Sequence, residues 1–222
     1  MRFCGFVLLL VVAAPRMSAT PCVTGLLSTY EALGATGCQL GGFTVKDFAY
    51  SAITTNVSIL DTDITVTPVF GPDSFGLLFS STAFNISGSQ FAHYLLAYTW
   101  DPGSIRSLED ILNTSTPVAP GIAKITTDAC RDAAFVGAVC GTTIDTLVVS
   151  HDGITPSLIN SVNYSPTIGT IGIRNTIELD TNGASSQFDS FGNVVFVPEP
   201  SAAFGMLCAC GAMLLRRHFH WR

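Results

Sequence analysis

Short runs in which apolar and polar residues alternate dominate the middle of the chain, and turn signals separate them. Residues 64–70 alternate branched or aromatic side chains with threonine and end at Gly-Pro-Asp, and residues 168–179 repeat the pattern before Asp-Thr-Asn-Gly. A two-residue period in segments rich in Val, Ile, Thr and aromatic residues predicts β-strands. Strands are therefore predicted over residues 43–50, 64–70, 75–84, 90–100, 122–127, 144–150, 168–179 and 188–197.

Many short strands joined by Gly-, Pro-, Asn- and Asp-rich turns predict an all-β fold, a single antiparallel β-sandwich of jelly-roll-like form. Helical spacing is sparse. One short helix is predicted within residues 26–33. A second is predicted over 105–112, where apolar residues recur at helical intervals and Ser104 or Ser107 offers an N-cap. Residues 113–121, which include two prolines, are interpreted as a loop.

The first nineteen residues have the layout of a secretory signal peptide. Arg2 supplies the positive start, residues 3–14 form the apolar region, and cleavage is expected after Ala19. The apolar region is shorter than the roughly 20 residues that an ordinary membrane-spanning helix needs. The chain is therefore divided into a signal helix (1–19), a secreted β-sandwich domain (20–197) and a C-terminal tail (198–222).

The C-terminal tail combines a short motif, an apolar run over residues 202–215 that is expected to be helical, and a basic tip. The residues that define the motif and the tip are Val197, Pro198, Glu199, Pro200, Ser201, Arg216 and Arg217. Together with the signal peptide, this arrangement resembles the PEP-CTERM sorting signal of Gram-negative, exopolysaccharide-producing bacteria. The resemblance covers about 26 of the 222 residues.

The resemblance implies a route rather than an activity. It implies transient anchoring in the inner membrane, recognition by the membrane transpeptidase exosortase, removal of the tail, and delivery to the cell envelope or the extracellular matrix. A helix over residues 202–215 would be about 21 Å long, against a hydrocarbon core of about 30 Å. This short length favours recognition and removal over permanent anchoring.

The charge of the secreted domain argues against a nucleic-acid partner. Residues 20–197 hold five of the ten Lys and Arg residues and fifteen of the sixteen acids, a net charge of −10. Phosphate binding depends on Lys and Arg. Much of the apolar excess behind the positive mean hydropathy of +0.46 lies in the two terminal segments.

Cysteine usage is typical of an exported protein. The secreted domain keeps four cysteines, Cys22, Cys38, Cys130 and Cys140, and an even number in an exported chain predicts disulfides. Three pairings are possible, and proximity along the chain favours Cys22–Cys38 and Cys130–Cys140. A four-cysteine zinc site would need closer pairs than these spacings provide.

Candidate catalytic residues are few. The secreted domain contains two histidines, His93 and His151. His151 lies between Ser150 and Asp152, but adjacent residues cannot form a catalytic triad, so His151 is interpreted as a turn residue. His93 lies within a predicted strand without a partner motif. The sequence has no G-x-S-x-G, H-E-x-x-H, P-loop or G-x-G-x-x-G motif.

Two further sets of residues are candidate ligand sites. Asp61 and Asp63 would share a face on a strand or could bind calcium on a loop, but the other oxygen ligands and the glycine of a full calcium loop do not follow. Tyr94, Tyr98 and Trp100 fall on one face of a predicted strand. That face is interpreted as core, with a carbohydrate-stacking platform as the alternative.

These observations favour a secreted surface or matrix protein with a structural or adhesive role, without catalytic activity, cofactor or resident metal. The first alternative is a module that binds carbohydrate such as exopolysaccharide. The second is a hydrolase whose carboxylates come together from separated segments, since glycosidase carboxylates are recognised by their separation in space.

Overall fold

The computed structural model describes residues 20–137 and 139–198 of the 222-residue chain. Val197 and Pro198 are therefore described, whereas the predicted signal helix and the rest of the tail lie outside the described residues. The site residues in that outer part are Glu199, Pro200, Ser201, Arg216 and Arg217. Among the described helices, none is long and apolar enough to cross a membrane.

Fourteen strands form within the described residues, together with one α-helix, α1 (Leu27–Glu31). The strands are β1 (Gly25–Leu26), β2 (Cys38–Leu40), β3 (Phe43–Thr55), β4 (Thr65–Phe70), β5 (Ser74–Ser80), β6 (Asn85–Ser87), β7 (Phe91–Asp101), β8 (Ile105–Ser115), β9 (Ile122–Arg131), β10 (Ile144–His151), β11 (Pro156–Ser157), β12 (Ile159–Ile168), β13 (Ile171–Asp180) and β14 (Ser185–Phe196). Short 3-10 turns occur at Gly34–Thr36, Asp61–Asp63 and Thr82–Phe84.

The strands form two seven-stranded sheets. The first sheet has the order β11-β10-β9-β13-β7-β3-β2. The second has the order β1-β4-β5-β14-β8-β12, with β6 paired to β14. All these strand pairs are antiparallel, and the chain passes repeatedly between the sheets. The prediction of an all-β, antiparallel sandwich is confirmed.

The core lies between the inner faces of the two sheets. On β7, Tyr94, Tyr98 and Trp100 are buried, whereas His93 on the opposite face is half-buried. The second sheet contributes Phe79, whose ring contacts the Tyr98 ring at 5.7 Å between centroids. Full burial of a large apolar side chain contributes about 1.5–3 kcal/mol, so this aromatic layer holds the sheets together. The core interpretation of the β7 face is confirmed.

One predicted helix is present and the other is a strand. The first coincides with α1, whose apolar side rests on the core through Leu27 and Tyr30. The helix predicted over 105–112 is wrong, because this segment is β8, paired with β14 on one side and β12 on the other. Its two-residue period was obscured because Asp110, which shares the inward face with Leu108 and Leu112, is polar, and because Ser107 is a second buried polar residue. Sheet pairing on both sides overrode the local helical spacing.

β12 was not predicted, because most of its residues are exposed and polar. It contributes Tyr164 and Ile168 to the interior while its other face meets solvent. A half-exposed edge strand buries too few apolar residues to give a clear alternating pattern.

Two disulfides close the domain, in the pairing that proximity favoured. Cys22–Cys38 ties the start of the domain to β2, and Cys130–Cys140 joins the end of β9 to the loop that follows it. In the chain-entropy account, loops of this size stabilise the folded state by about 2–3 kcal/mol each. Disulfides indicate an oxidising compartment outside the cytoplasm.

Candidate functional site

The histidines lie apart in the first sheet. His93 on β7 pairs with Asp180 at 3.1 Å between Nε2 and Oδ2. His151 ends β10, and its Nδ1 accepts a hydrogen bond from the backbone N–H of Gly153 at 2.9 Å, which confirms its interpretation as a turn residue. β7 and β10 are three strand spacings apart, about 14 Å, so the two imidazoles cannot act on one substrate group.

Asp61 and Asp63 belong to a 3-10 turn rather than to a strand. Asp63 accepts a hydrogen bond from the backbone N–H of Leu60 at 2.9 Å, and Asp61 accepts one from that of Thr62 at 2.9 Å. Within residues 20–137 and 139–198, no cluster of three or more His, Cys, Asp or Glu side chains is placed to hold a metal ion. These two carboxylates therefore serve first as local caps of the turn.

One concave feature of the described residues is a cleft of about 520 Å³, which we call the β3 cleft. It is lined by the end of α1 at Glu31, by residues 50–52 and 55 of β3, by the following segment 56–61, and by Tyr94. The cleft lies beside the length of β3 that β2 leaves uncovered, because β2 pairs only with residues 43–45 of that strand. Residues 51–54 are consequently exposed on both faces of the strand.

Two tyrosines form the aromatic wall of the β3 cleft. The rings of Tyr50 and Tyr94 are stacked, with centroids 5.1 Å apart and planes 3° from parallel. The Tyr94 hydroxyl donates to the carbonyl of Val57 at 2.9 Å and accepts from the N–H of Ile59 at 2.9 Å. The Tyr50 hydroxyl donates to the carbonyl of Ile59 at 3.3 Å. The tyrosines therefore fix the segment that forms the opposite wall.

A carboxyl pair lies beside this wall. Glu31 accepts a hydrogen bond from the backbone N–H of Tyr50 at 2.7 Å, which joins the end of α1 to β3. Burial raises the pKa of Glu31, and the Asp61 carboxyl, within hydrogen-bonding reach, raises it further. Burial also raises the pKa of the Tyr50 phenol, with Tyr94 and the nearby acids adding to the effect. Two carboxyls this close cannot both ionise without cost.

The β3 cleft offers a specific combination of surfaces. The half-buried Tyr50 ring, backed by the buried Tyr94 ring, supplies apolar contact, while the Glu31 and Asp61 carboxyls and the hydroxyls of Ser51 and Ser58 supply polar groups at the rim. None of its described lining residues is Lys, Arg or His. A largely apolar surface with a few placed polar groups is the usual composition of a small-ligand site. Here the polar groups suit a neutral ligand rich in hydroxyls.

Sequence reasoning identified only part of this site. It singled out Asp61 and Tyr94, but not Glu31 or Tyr50, and it assigned Tyr94 to the core. Glu31 meets Tyr50 across 19 residues and Asp61 across 30, and no local spacing encodes such contacts. The available signal was weak: an acid at the end of a predicted helix and a tyrosine at the end of a predicted strand.

The predicted aromatic platform is not a ligand surface. Tyr98 and Trp100 are 2% and 0% exposed, and the Trp100 ring packs edge-on against Phe43 with centroids 5.5 Å apart. Of Tyr94, Tyr98 and Trp100, only Tyr94 lines the β3 cleft. A carbohydrate could therefore meet the β7 aromatic row only at the end where the sandwich opens.

No protein-family model matches this chain, and no curated protein sequence does. Among solved structures, TmCBM61 in complex with β-1,4-galactotriose is similar at a TM-score of 0.32 and 11% identity, over 66% of this chain and 86% of that one.

Two further solved structures are also only remotely similar to this chain. The enzymatically active domain of bacteriophage CBA120 tailspike protein 4 is similar at a TM-score of 0.28 and 12% identity, over 71% of this chain and 19% of that one. The mannan-recognising carbohydrate-binding module TmCBM27 is similar at a TM-score of 0.24 and 10% identity, over 69% of this chain and 98% of that one. Similarities this remote do not assign a ligand or an activity to this chain.

Proposed function

We propose that this protein is an exported, non-catalytic β-sandwich that binds carbohydrate in the β3 cleft. The observation that carries the proposal is the composition of that cleft: a stacked tyrosine wall beside hydrogen-bonding groups at an open rim. The apolar face of a sugar ring packs against aromatic side chains, and its hydroxyls need donors and acceptors around them. A role in adhesion to a surrounding polysaccharide matrix follows from this binding.

The ligand class follows from the electrostatics of the cleft. Glu31 and Asp61 disfavour an anionic ligand, because no basic side chain is among the described residues that line the cleft. Neutral hexose polymers meet the same surface without this repulsion. We therefore place neutral exopolysaccharide ahead of uronic-acid polymers as the ligand.

A glycan array followed by titration calorimetry tests the proposal. Ala52 is exposed in the cleft, so Ala52→Trp should fill the cleft and reduce affinity at least tenfold without touching the core. Asp61→Asn keeps the shape of the side chain and should change affinity only through charge and hydrogen bonding. Glu178→Gln, on the solvent-facing side of the first sheet, is the matched control and should bind like the unaltered protein.

Two results would contradict the proposal. The first is absence of binding to every neutral polysaccharide tested. The second is binding that Ala52→Trp leaves unchanged, because the ligand would then occupy another surface.

We further propose that the tail carries this domain to the cell envelope or matrix through exosortase. Val197 supports the placing of the boundary: its backbone N–H donates to the Asp73 carbonyl at 2.8 Å, one residue after β14 ends and one before the Pro-Glu-Pro motif. Fractionation of cells that express the full chain or a chain ending at Val197 tests this route. Identical distributions of the two forms would contradict it.

Hydrolase activity is the second candidate function, because two carboxyls, those of Glu31 and Asp61, lie together in the cleft. Glu31 and Asp61 share a cleft, and the raised pKa of Glu31 is a property of general acids. Carboxyls of glycoside hydrolases are, however, separated by about 5–5.5 Å or 6.5–9.5 Å, and a pair in hydrogen-bonding reach is closer. Release of reducing ends from a bound polysaccharide, abolished by Glu31→Gln, would replace the binding proposal with this one.

A further inference from the structure

A cluster of polar side chains crosses the interior between the two sheets. Asp110 on β8 and Asn193 on β14 come from the second sheet, whereas Tyr98, Thr127 and Asn175 come from the first. All five are buried, with exposed fractions of 2% or less. Polar groups in such a place must satisfy one another, since water does not reach them.

Asn193 is the hub of this cluster. Its side-chain oxygen accepts from the Tyr98 hydroxyl at 2.6 Å and from the Asn175 amide at 2.8 Å. Its side-chain amide donates to Asp110 Oδ1 at 2.7 Å and to the Thr127 hydroxyl at 3.4 Å. The Thr127 hydroxyl in turn donates to Asn175 at 2.6 Å. Every donor and acceptor of the Asn193 amide is thus used, and the bonds connect one sheet to the other.

Asp110 is the member of the cluster whose hydrogen bonding is incomplete. Its Oδ2 has no hydrogen-bond partner, and the buried hydroxyl of neighbouring Tyr164 has none either. An ionised carboxylate with one unpaired oxygen in a dry interior carries a larger desolvation cost than the neutral acid. The cluster is therefore better matched to a protonated Asp110.

The titratable and charged groups around Asp110 do not offset its charge. Tyr98 faces it from β7 and Tyr164 from β12, and both are neutral phenols with pKa raised by burial. Glu109, next to it on β8, adds negative charge. The remaining side chains that contact it, Thr127 on β9 and Asn193 on β14, do not titrate.

The described cation beside Tyr164 is engaged elsewhere. The Arg131 guanidinium lies over the Tyr164 ring at 5.2 Å and makes two hydrogen bonds to the Asp145 carboxylate. That ion pair is partly exposed to solvent, whereas Asp110 is 1% exposed. Asp110 therefore has no counter-charge of its own among the described residues that contact it.

We propose that Asp110 is a proton-dependent clasp between the two sheets: the sandwich is held most firmly when this carboxyl is protonated and is loosened when it ionises. Burial is the main cause that raises the pKa of Asp110 to about 6 in the folded protein. An unfolded chain would return it to the ordinary value near 3.9. The clasp is independent of the ligand proposed for the β3 cleft, because none of its residues lines that cleft.

The sign of the effect follows from this difference. A pKa that is higher in the folded state means that the folded state binds the proton more tightly. Stability then rises as the pH falls from above 6 toward 4 and levels off below the unfolded value. Two units of difference correspond to about a hundredfold change in the unfolding equilibrium constant.

Urea unfolding between pH 4 and pH 8 tests the clasp, with Asp110→Asn as the probe and Glu178→Gln as the control. The asparagine keeps the acceptor for Asn193 but cannot ionise. It should therefore be more stable than the unaltered protein at pH 8, while Glu178→Gln should keep the original pH profile. A pH profile that Asp110→Asn leaves unchanged would overturn the proposal.

A second measurement does not depend on the variant folding. Carbon-13 NMR of the Asp110 carboxyl in the unaltered protein should show a titration midpoint near 6, and amide protection in β8 and β14 should fall as that carboxyl ionises. A midpoint near 4, or protection that does not follow the titration, would also overturn the proposal.

Discussion

The rings of Tyr50 and Tyr94 lie parallel, 5.1 Å apart between centroids, so that β3 and β7 share an aromatic wall at the open end of the sandwich. The two residues are diagonal neighbours across the strand pair, because Ala52, two residues beyond Tyr50, is the residue opposite Tyr94. Diagonal aromatic neighbours in a sheet are close enough for such stacking. Tyr94 is thus buried at the edge of the core, whereas the neighbouring Tyr50 is half-buried and faces the cleft.

Tyr94→Phe should destabilise the cleft wall, because the hydroxyl satisfies two backbone groups, the carbonyl of Val57 and the N–H of Ile59. Leaving buried groups unpaired costs about 1–3 kcal/mol. Tyr50→Phe is the matched control, since that hydroxyl makes one longer bond of 3.3 Å and its loss should cost less than about 1 kcal/mol. Urea unfolding of the two variants measures the difference. Equal losses would show that the hydroxyl of Tyr94 does not hold the segment.

Asn193→Ala should be among the most damaging single changes in this domain. It removes the hub amide and leaves polar groups of Tyr98, Asn175 and Asp110 without their shared partner. We expect a loss of at least about 3 kcal/mol in the free energy of unfolding. Asn160→Ala removes two exposed bonds, to the Val148 carbonyl and from the N–H of Ser161, and should change it by less than about 0.5 kcal/mol. Thermal unfolding followed by circular dichroism compares the two, and a similar cost for both would mean that the buried cluster contributes no more than a surface contact.

Removal of either disulfide should lower stability by about 2–3 kcal/mol, with the larger loss for Cys22–Cys38, which closes the longer loop. Paired Cys→Ala variants and urea unfolding measure each contribution. Peptide mapping without reduction checks the pairing itself. A fragment linking Cys22 or Cys38 to Cys130 would contradict it.

Acid should weaken the contact between β3 and β7 that Lys46 makes with Asp101 at 2.8 Å. Hydrogen bonding to Lys46, then to Thr170, lowers the pKa of Asp101 from its ordinary value of 3.8. A lowered folded pKa contributes stability above the ordinary value and loses it as the pH falls through the lowered one. The pair is partly exposed, so its contribution should not exceed about 1 kcal/mol. Asp101→Asn should therefore reduce stability slightly at pH 6 and not at pH 2, and an equal effect at both would refute the assignment.

The two buried or half-buried acids in these proposals respond to pH in opposite directions. Asp110 stabilises the fold as it gains a proton, whereas Asp101 stabilises it as an anion. The pH profile of the whole domain is the sum of both. Only the Asp110→Asn and Asp101→Asn variants separate the two contributions.

Much of the architecture could be predicted from local pattern. Runs such as residues 64–70 and 144–150 alternate because one face of each strand is buried and the other meets solvent. The nearby cysteines could be paired because short loops close most readily. Where the pattern failed, at β8, an inward position was polar: Asp110 takes its hydrogen-bond partner Asn193 from β14, so its burial leaves no apolar trace in the sequence.

The candidate site was predictable only in fragments, for a related reason. Asp61 was noticed as one of two close acids and Tyr94 as one of a row of aromatics. Neither pattern says that β2 leaves most of β3 as an edge strand, or that Glu31 at the end of α1 accepts a hydrogen bond from Tyr50. The cleft is a property of where elements end in space, and sequence spacing does not record that.

The sequence by itself determined the all-β class, most strands, the net negative charge of the domain and the expectation of a sorting tail, and it favoured one of three cysteine pairings, because each depends on the order and spacing of neighbouring residues. Only the tertiary structure decided that β8 is a strand, that Glu31 meets Asp61, and that Asp110 is buried beside Asn193. Glu31 and Asp61 are 30 positions apart in the sequence, and Asp110 and Asn193 are 83 apart. The free energy that brings such residues together comes from the packing of the two sheets rather than from any local preference.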